Sequence, residues 1–540
     1  MLTLIGHNLV SDLSMMVRAG YKLPNAQYFC TDTGAKWVWP DHEDYSLEHL
    51  VLRSSSMGQW RSTLGRLGFD DFEQMSDDDL AVRCGGDAEG PVRLKPIIQQ
   101  ALIDLRMQKI WGLAMEVLPV LAVIGGTGMA IDVPELVRRA MDLGGWHRDQ
   151  GDVSEGWLGE EKQDLQRILG IKNLNSDIQL AEALFDRFSA APLRRTTRGW
   201  SVDKQALMWV RYQARHRGNV DLATLVSRII AYNEKDKLYT TYYKSWLESG
   251  DQRVYSFYGL GGTATGRLHS YNQNLQNVPE IARELVIPSP GYDLIAQLDF
   301  KSFELAGAAH ISQDSVLTQW IKEDRDIHSI MASRVLGLPE PKTKDEYRQF
   351  KLNHPVERAT GKLANFATLY LVSADALSWQ VFESTNGETY LPEVETQKYI
   401  DTFFRIFCEY KERLDTGWEQ HKHGEWVVSD TGRRWIFSGA ESGKRKYSNY
   451  RVQSLCSDLT LLSLQALDLA IKKRKWKTRI IGTVHDSIVF ETTHQELRPL
   501  MYLARRLCEH LDTSRFGFQL RVPIRIEFQA GTSWGTLKDV

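Results

Sequence analysis

RATGKLANFATLY (358–370) places Arg358, Lys362, Phe366 and Tyr370 at four-residue intervals just after Pro355. Proline suits a first helical turn, where its fixed φ is already helical and its missing N–H costs no bond. Positions i, i+4, i+8 and i+12 share one slowly drifting helix face. That face carries two cations and then two aromatics over about 18 Å, at roughly 1.5 Å per residue. Cations suit phosphate oxygens and an aromatic ring suits a nucleobase, so a nucleoside triphosphate fits along this helix. Alone, the same pattern is that of a half-buried amphipathic helix whose basic side chains reach for water.

Two aspartates in strand contexts flank the helix. Asp299 lies in the apolar run DLIAQLDF (293–300), and Asp486 sits in the turn of TVHDSIVFE (483–491). Carboxylates projecting from a rigid strand edge suit Mg2+, and two such ions can clamp both oxygens of an in-line phosphoryl displacement. Helical patterns run from Ser302 to about Trp418, followed by a hairpin signal, EWVVSDTGRRWIF (425–437), with Asp430-Thr431-Gly432 in its turn. A helix is expected from about Tyr450 to Lys472, then a hairpin in TRIIGTVHDSIVFE (478–491) and a last strand in VPIRIEF (522–528).

Toward the N-terminus, residues 1–110 alternate short apolar runs with breaks at SDDD (76–79) and GGDAEG (85–90). AMEVLPVLAVI (114–124) reads as a strand or helix feeding the turn GGTGMAID (125–132). Residues 135–250 look mostly helical, broken at LRRTTRGW (193–200). A small sheet interrupted by large helical insertions follows, an α/β (α+β) chain.

A chain of 540 residues exceeds one hydrophobic core, so two to four domains are expected. With 42% hydrophobic and 25% charged residues the composition is that of a globular protein. No apolar run of transmembrane length is expected, and Asn8, Ser11 and Asp12 come too early for a signal peptide, giving a cytoplasmic reading. Cys30, Cys84, Cys408, Cys456 and Cys508 form no CxxC pair, so reduced structural thiols are expected rather than zinc or disulfides. The net charge of −3 does not favour nucleic acid. Clustering does: basic runs occur at Arg194, Arg195 and Arg198, at Lys444, Arg445 and Lys446, and in KKRKWKTR (472–479).

Six stretches then occur in order: TATGRLHSYNQNLQNVP (263–279), DFKSFELAGAAH (299–310), DIH (326–328), RATGKLANFATLY (358–370), NYRVQ (449–453) and VHD (484–486). Together they resemble family A DNA polymerases, the bacterial polymerase I and phage replicative group, over roughly residues 110–540. The resemblance implies a right-hand fold: a first palm segment at 111–135, thumb at 136–250, palm with the first aspartate at 251–312, fingers at 313–435 and palm with the second aspartate at 436–540. It implies DNA synthesis from dNTPs onto a primer 3′-OH with two Mg2+ ions, for which Mn2+ can substitute. Asp299 and Asp486 would be the catalytic metal pair, with the Phe300 carbonyl as a further ligand. Lys362, also catalytic, and Arg358 would hold the triphosphate, joined by His328 and Ser302. Phe366 would pack beside the sugar, Tyr370 near base and template, and Glu304 would block the 2′ position.

The same resemblance makes Arg267, Asn449 and Gln453 minor-groove donors, which test pair shape because acceptors recur there at similar positions in every pair. Arg445 and His485 would add primer-template contacts, and Arg194 and Arg195 phosphate contacts near the thumb tip. Partners implied are primed template DNA and dNTPs, with room for a separate exonuclease or processivity subunit, and no membrane. The compact, motif-divergent make-up suggests phage origin.

Three departures stand out. Ser487 occupies the place of the family's usual glutamate and resembles the HDS of single-subunit phage-type RNA polymerases, which is the rival reading. Glu304, DFKSFEL and TATGRL are of the DNA-polymerase pattern. Leu371 stands where the family often has glycine. In residues 1–110, GHNLVSD (6–12) resembles the second motif of 3′–5′ exonucleases with Asp12 in the metal position, and RCGGDAE (83–89) the third, with Asp87 the carboxylate and Arg83 in place of tyrosine. The first motif, an Asp-x-Glu on a strand earlier than GHNLVSD, is expected ahead of residue 1 and is absent, so a truncated, inactive, ribonuclease H-like exonuclease unit is expected.

Overall fold

The computed structural model describes residues 2–60, 75–147, 151–152, 156–437 and 439–540. Its central sheet has five antiparallel strands in the order Arg479–Val484, Ser487–Thr492, Leu294–Lys301, Arg525–Gly531 and Lys538–Asp539. The apolar run ending at Asp299 forms the middle strand, and Leu298 pairs with Ile488 on one side and Phe528 on the other. Successive side chains of a strand face opposite ways. Leu298 is therefore buried while Asp299, one residue on, stands in the open beside Glu527, its partner in the register.

Between the middle strand and the hairpin Arg479–Thr492 the chain inserts helices. Ile327–Leu336, Lys344–Asn353, Pro355–Leu369, Ala374–Ser384 and Glu393–Ile406 build one lobe, with a small core of its own around Ala364, Leu377, Val381 and Tyr399. Upstream, the helices from Val133–Gly144 to Val220–Leu238 pack a second core in which Leu165, Val226 and Ile229 are buried. LRRTTRGW becomes a small hairpin, Arg195–Thr196 against Gly199–Trp200.

Five expectations need correction. The helix placed at Tyr450 begins at Glu441 and runs to Arg474. SDDD is no break: Ser76 caps the helix Asp77–Asp104, its hydroxyl accepting from the Asp79 N–H at 3.1 Å, with the three aspartates in the favourable first turn. GGDAEG is interior to that same helix. Two helices, Gln108–Thr127 and Ser442–Arg474, are long and apolar enough to cross a membrane, but 67% and 72% of their apolar windows are buried inside the protein, as core helices are. Of the five thiols, Cys84 and Cys408 are exposed rather than structural.

At the N-terminus Thr3–Gly6 pairs in parallel with Gln27–Cys30. GHNLVSD leads into the helix Leu9–Arg18, which lies on Gln108–Thr127.

Candidate active site

The strand Leu294–Lys301, the hairpin turn at His485-Asp486 and the helix Pro355–Leu369 meet at a cleft of 670 Å³. Asp299, Phe300, Ser302, Glu304, His328, Arg358, Lys362, Phe366 and Asp486 all line it. These side chains come from segments spread over nearly 190 positions of sequence, and the sheet register brings them to one wall or the other.

On the sheet side the two aspartates influence each other. Burial pushes the Asp486 carboxyl up to about 6; Arg267 opposes this, while the charges of Glu304 and Asp299 add to it. Asp299 is open to solvent along the cleft, but the protein crowding around it strips water from its carboxyl and raises it, the Glu527 charge adds to this, and Lys362 pulls the other way. No cation within salt-bridge distance neutralises Asp299, Asp486 or Glu527 among the described residues. Glu527 was not foreseen; the alternation of VPIRIEF, which puts Arg525 and Glu527 on one face, was the signal that carried it.

On the helix side each cation has a defined anchor or none. Arg358 Nε donates to Asp326 Oδ2 at 2.7 Å. Asp326 also caps the helix Ile327–Leu336, accepting from the Ser329 hydroxyl at 2.8 Å and from the His328 and Ser329 N–H groups. Burial alone would raise this carboxyl; the Arg358 guanidinium and Ser329 hold it below its ordinary value. An aspartate just before a helix is an N-cap signal, so this anchor was readable in DIH and was overlooked. His328 is buried, and burial drives its pKa far down, so it is neutral. Asn365 Nδ2 donates to its Nδ1 at 3.0 Å, which assigns the remaining proton to Nε2 as a donor. Lys362 makes no ion pair or side-chain hydrogen bond among the described residues.

Tyr370 departs from the expected stripe. The helix ends at Leu369, so Tyr370 is its cap and does not line the cleft with Arg358, Lys362 and Phe366. The chain turns there through a Schellman closure: Val372 N–H bonds the Ala367 carbonyl at 3.1 Å and Leu371 N–H that of Thr368 at 3.0 Å. Leu371 fills the left-handed position of that motif at φ 59°, where glycine is the favoured residue. Leu371→Gly should therefore change stability by under about 1 kcal/mol, because relief of roughly 1–2 kcal/mol of left-handed strain offsets lost packing. Thermal melts check this; a loss of several degrees would mean that the Leu371 side chain, not the backbone, is what the turn needs.

Behind the cleft, Arg267 Nη2 meets Glu304 Oε1 at 2.5 Å, and the Glu304 side chain is only 12% exposed. The Tyr370 hydroxyl is buried, and burial together with the Glu304 charge keeps the phenol protonated. Arg267 owes its place to its loop: Ser454 Oγ donates to the Thr265 carbonyl at 2.7 Å and Trp435 Nε1 to that of Ala264 at 2.8 Å. With the long helix starting at Glu441, Arg445, Asn449 and Gln453 fall at i, i+4 and i+8 on one of its faces, none of them fully buried. Ser487 turns inward, its hydroxyl donating to the Val484 carbonyl at 2.9 Å, so it adds nothing to the cleft. His485 is exposed beside Asp486 at φ 52°.

Arg194 and Arg195 lie elsewhere. Arg194 is held by Asp203 and Gln205, and Arg195 sits 5.6 Å over the Trp200 ring. Asp12 and Asp87 belong to separate helices of the N-terminal unit, and Asp87 accepts from Trp60 Nε1 at 3.0 Å.

The sheet, the helical lobes around it and the carboxylate-and-cation cleft define a right-hand polymerase fold. A family model described as DNA polymerase family A matches residues 150–536, and the chain belongs to that family. It is 26% identical to DNA polymerase I of Treponema pallidum, over 99% of this chain and 51% of that protein. Against the thermostable DNA polymerase I of Thermus aquaticus it is 27% identical, over 78% of this chain and 47% of the relative. The chain thus spans about half the length of the curated relatives it matches. In structure it is similar to the POL domain of Pol1 from M. smegmatis, solved with DNA primer-template and dNTP, at a TM-score of 0.77 and 21% identity, covering 98% of this chain and 85% of that one.

Proposed function

We propose that the chain is a template-directed DNA polymerase that joins a dNTP to a primer 3′-OH. The observation that carries this is the division of one cleft between free carboxylates, Asp299 and Asp486, and phosphate-seeking cations, Arg358 and Lys362. Hard oxygen donors without a cation partner fit Mg2+, or Mn2+ in its place, and a site short of a full protein cage suits an ion that shares its shell with phosphates. Asp299, Asp486 and the Phe300 carbonyl would hold two ions, which when bound supply charge neutralisation at the attacking and leaving oxygens. Arg358, Lys362 and the His328 Nε2–H bind and orient the triphosphate, Phe366 and Glu304 receive the sugar, and Arg267 with the Arg445, Asn449 and Gln453 face takes the duplex.

An RNA polymerase built on the same fold is the alternative. Its support was Ser487, whose hydroxyl is committed to the backbone of its own hairpin. Primer extension with dNTPs and with rNTPs, by wild type and Asp486→Ala, tests the choice. Extension with dNTPs alone, lost in the variant, is expected; preferential use of rNTPs would overturn it.

We propose further that the N-terminal unit of this chain does not edit. Supporting this, Asp12 and Asp87 match only the second and third of the three exonuclease motifs, and two-metal hydrolysis depends on the carboxylates that hold both ions. Metal-dependent release of a mismatched 3′ nucleotide by the isolated chain would refute it.

A further inference from the structure

The helix Lys344–Asn353 has no role in the site as described, yet it forms part of the cleft wall. Lys344, Arg348 and Lys351 all line the cleft, and their spacing of four and then three residues is that of a single helix face. Most cations on an exposed helix are solvated or paired along it. Here they are not. Lys344 approaches Asp324 only to 3.9 Å, and Arg348 and Lys351 make no ion pair or hydrogen bond among the described residues.

The helix itself is firmly placed. Thr343 and Glu346 form a reciprocal capping box, and Phe350 is buried beneath it. It packs on Pro355–Leu369, which carries Arg358 and Lys362. Pairing off the charges of the cleft leaves an ordered remainder. Asp326 is taken by Arg358, Asp324 by Lys301 and Glu304 by Arg267. What stays unpaired among the described residues is Asp299, Asp486 and Glu527 on the sheet, and Lys362, Arg348 and Lys351 on the helical lobe. Three free cations on neighbouring helices, facing a carboxylate pair, make a surface for a polyanion longer than one phosphate.

We infer that Lys344–Asn353 is a second phosphate-binding element, in which Arg348 and Lys351 take the terminal phosphate of the incoming nucleotide and the pyrophosphate that leaves. The inference rests on the reading of the cleft as a nucleotide site. Charge-assisted contacts to phosphate oxygens are the strong class of hydrogen bond, so their loss is visible in binding constants. Contacts made equally to bound nucleotide and transition state appear in KM rather than kcat.

Single-nucleotide insertion is the test, with wild type, the double variant Arg348→Ala/Lys351→Ala and the charge-keeping variant Arg348→Lys/Lys351→Arg. The alanine variant should raise the KM for dNTP about tenfold or more, weaken inhibition by inorganic pyrophosphate to the same extent, and leave inhibition by a deoxynucleoside monophosphate unchanged. The charge-keeping variant should stay within about threefold of wild type on all three. If wild type extends primers and the alanine variant matches it within twofold, this inference falls alone. If the charge-keeping variant fails as badly as the alanine one, the helix acts by shape and the inference also falls. If wild type does not extend at all, the nucleotide reading falls and takes this with it.

Discussion

Asp486→Asn is expected to cut primer extension by about a thousandfold or more while making the metal-free protein more stable. The activity loss follows from removing one of two carboxylates on which divalent-ion binding depends. The gain in stability follows from its pKa. In the unfolded chain Asp486 ionises near its ordinary 3.8, but in the fold only near 6, because burial and the Glu304 and Asp299 charges oppose ionisation. A carboxyl whose folded pKa is raised costs stability wherever the unfolded chain has it ionised. That cost is absent below about 3.8, grows between there and about 6, and is constant above. Asparagine escapes it, so the variant should melt higher than wild type in chelator at pH 8, with the difference shrinking as pH falls below 6. Adding Mg2+ or Mn2+ should raise the melting temperature of wild type and not of the variant, since only a protein that binds the ion gains from mass action. A variant that melts lower in chelator at pH 8 would make Asp486 a structural carboxylate and undermine its place in the metal pair.

Which parts of this arrangement could be read from sequence, and which could not, has a physical pattern. The strand to Asp299 and the Asp486 hairpin were legible from local apolar pattern and the helix after Pro355 from its start signal, whereas the joining of Asp299, Asp486, Arg358 and Lys362 into one site was legible only through the resemblance of their ordered motifs to family A DNA polymerases. What local pattern misjudged was set by packing. GGDAEG looked like a break, but a Cβ on Gly86 would lie 2.2 Å from the Trp60 ring, and one on Gly90 would press Val51 and Leu47 at 3.2–3.3 Å. These glycines admit neighbours to a helix instead of ending it, and tertiary contacts override the propensity cost of about 1 kcal/mol per glycine. Tyr370 kept its four-residue spacing from Phe366 but lost the helix under it, because the Schellman closure at Leu371 intervenes. Glu527, Asp326 and the Arg348–Lys351 face were missed for another reason. Sequence shows that a charge exists, whereas its role depends on whether a partner neutralises it, and partners lie on distant segments.

Glu304 brings those two lessons together and gives the second large effect. Glu304→Ala should lower discrimination against rNTPs by about a hundredfold, the scale on which a fitted pocket rejects a substrate that merely adds a hydroxyl. The Glu304 carboxylate is mostly buried, clasped by Arg267 and backed by the Tyr370 phenol, so it cannot swing aside for a 2′-hydroxyl on a sugar beside Phe366. Truncation opens that volume and also frees the Arg267 guanidinium to donate to the new hydroxyl. The same loss of an anchor for Arg267 should reduce dNTP incorporation, by about tenfold, since leaving one partner of a charged hydrogen bond unpaired costs roughly 1.5–3 kcal/mol. Measured kcat/KM for a dNTP and its rNTP, in wild type and variant, separates the two effects. Glu304→Gln adds the deciding comparison: it keeps the bulk and drops the charge. If bulk excludes the hydroxyl, Gln retains most of the discrimination that Ala loses; if Gln behaves like Ala, the charge held by Arg267 is the sorting element. An unchanged ratio in the alanine variant would place sugar selection elsewhere in the cleft, and a wild type that prefers rNTPs would return Ser487 to the centre of the argument.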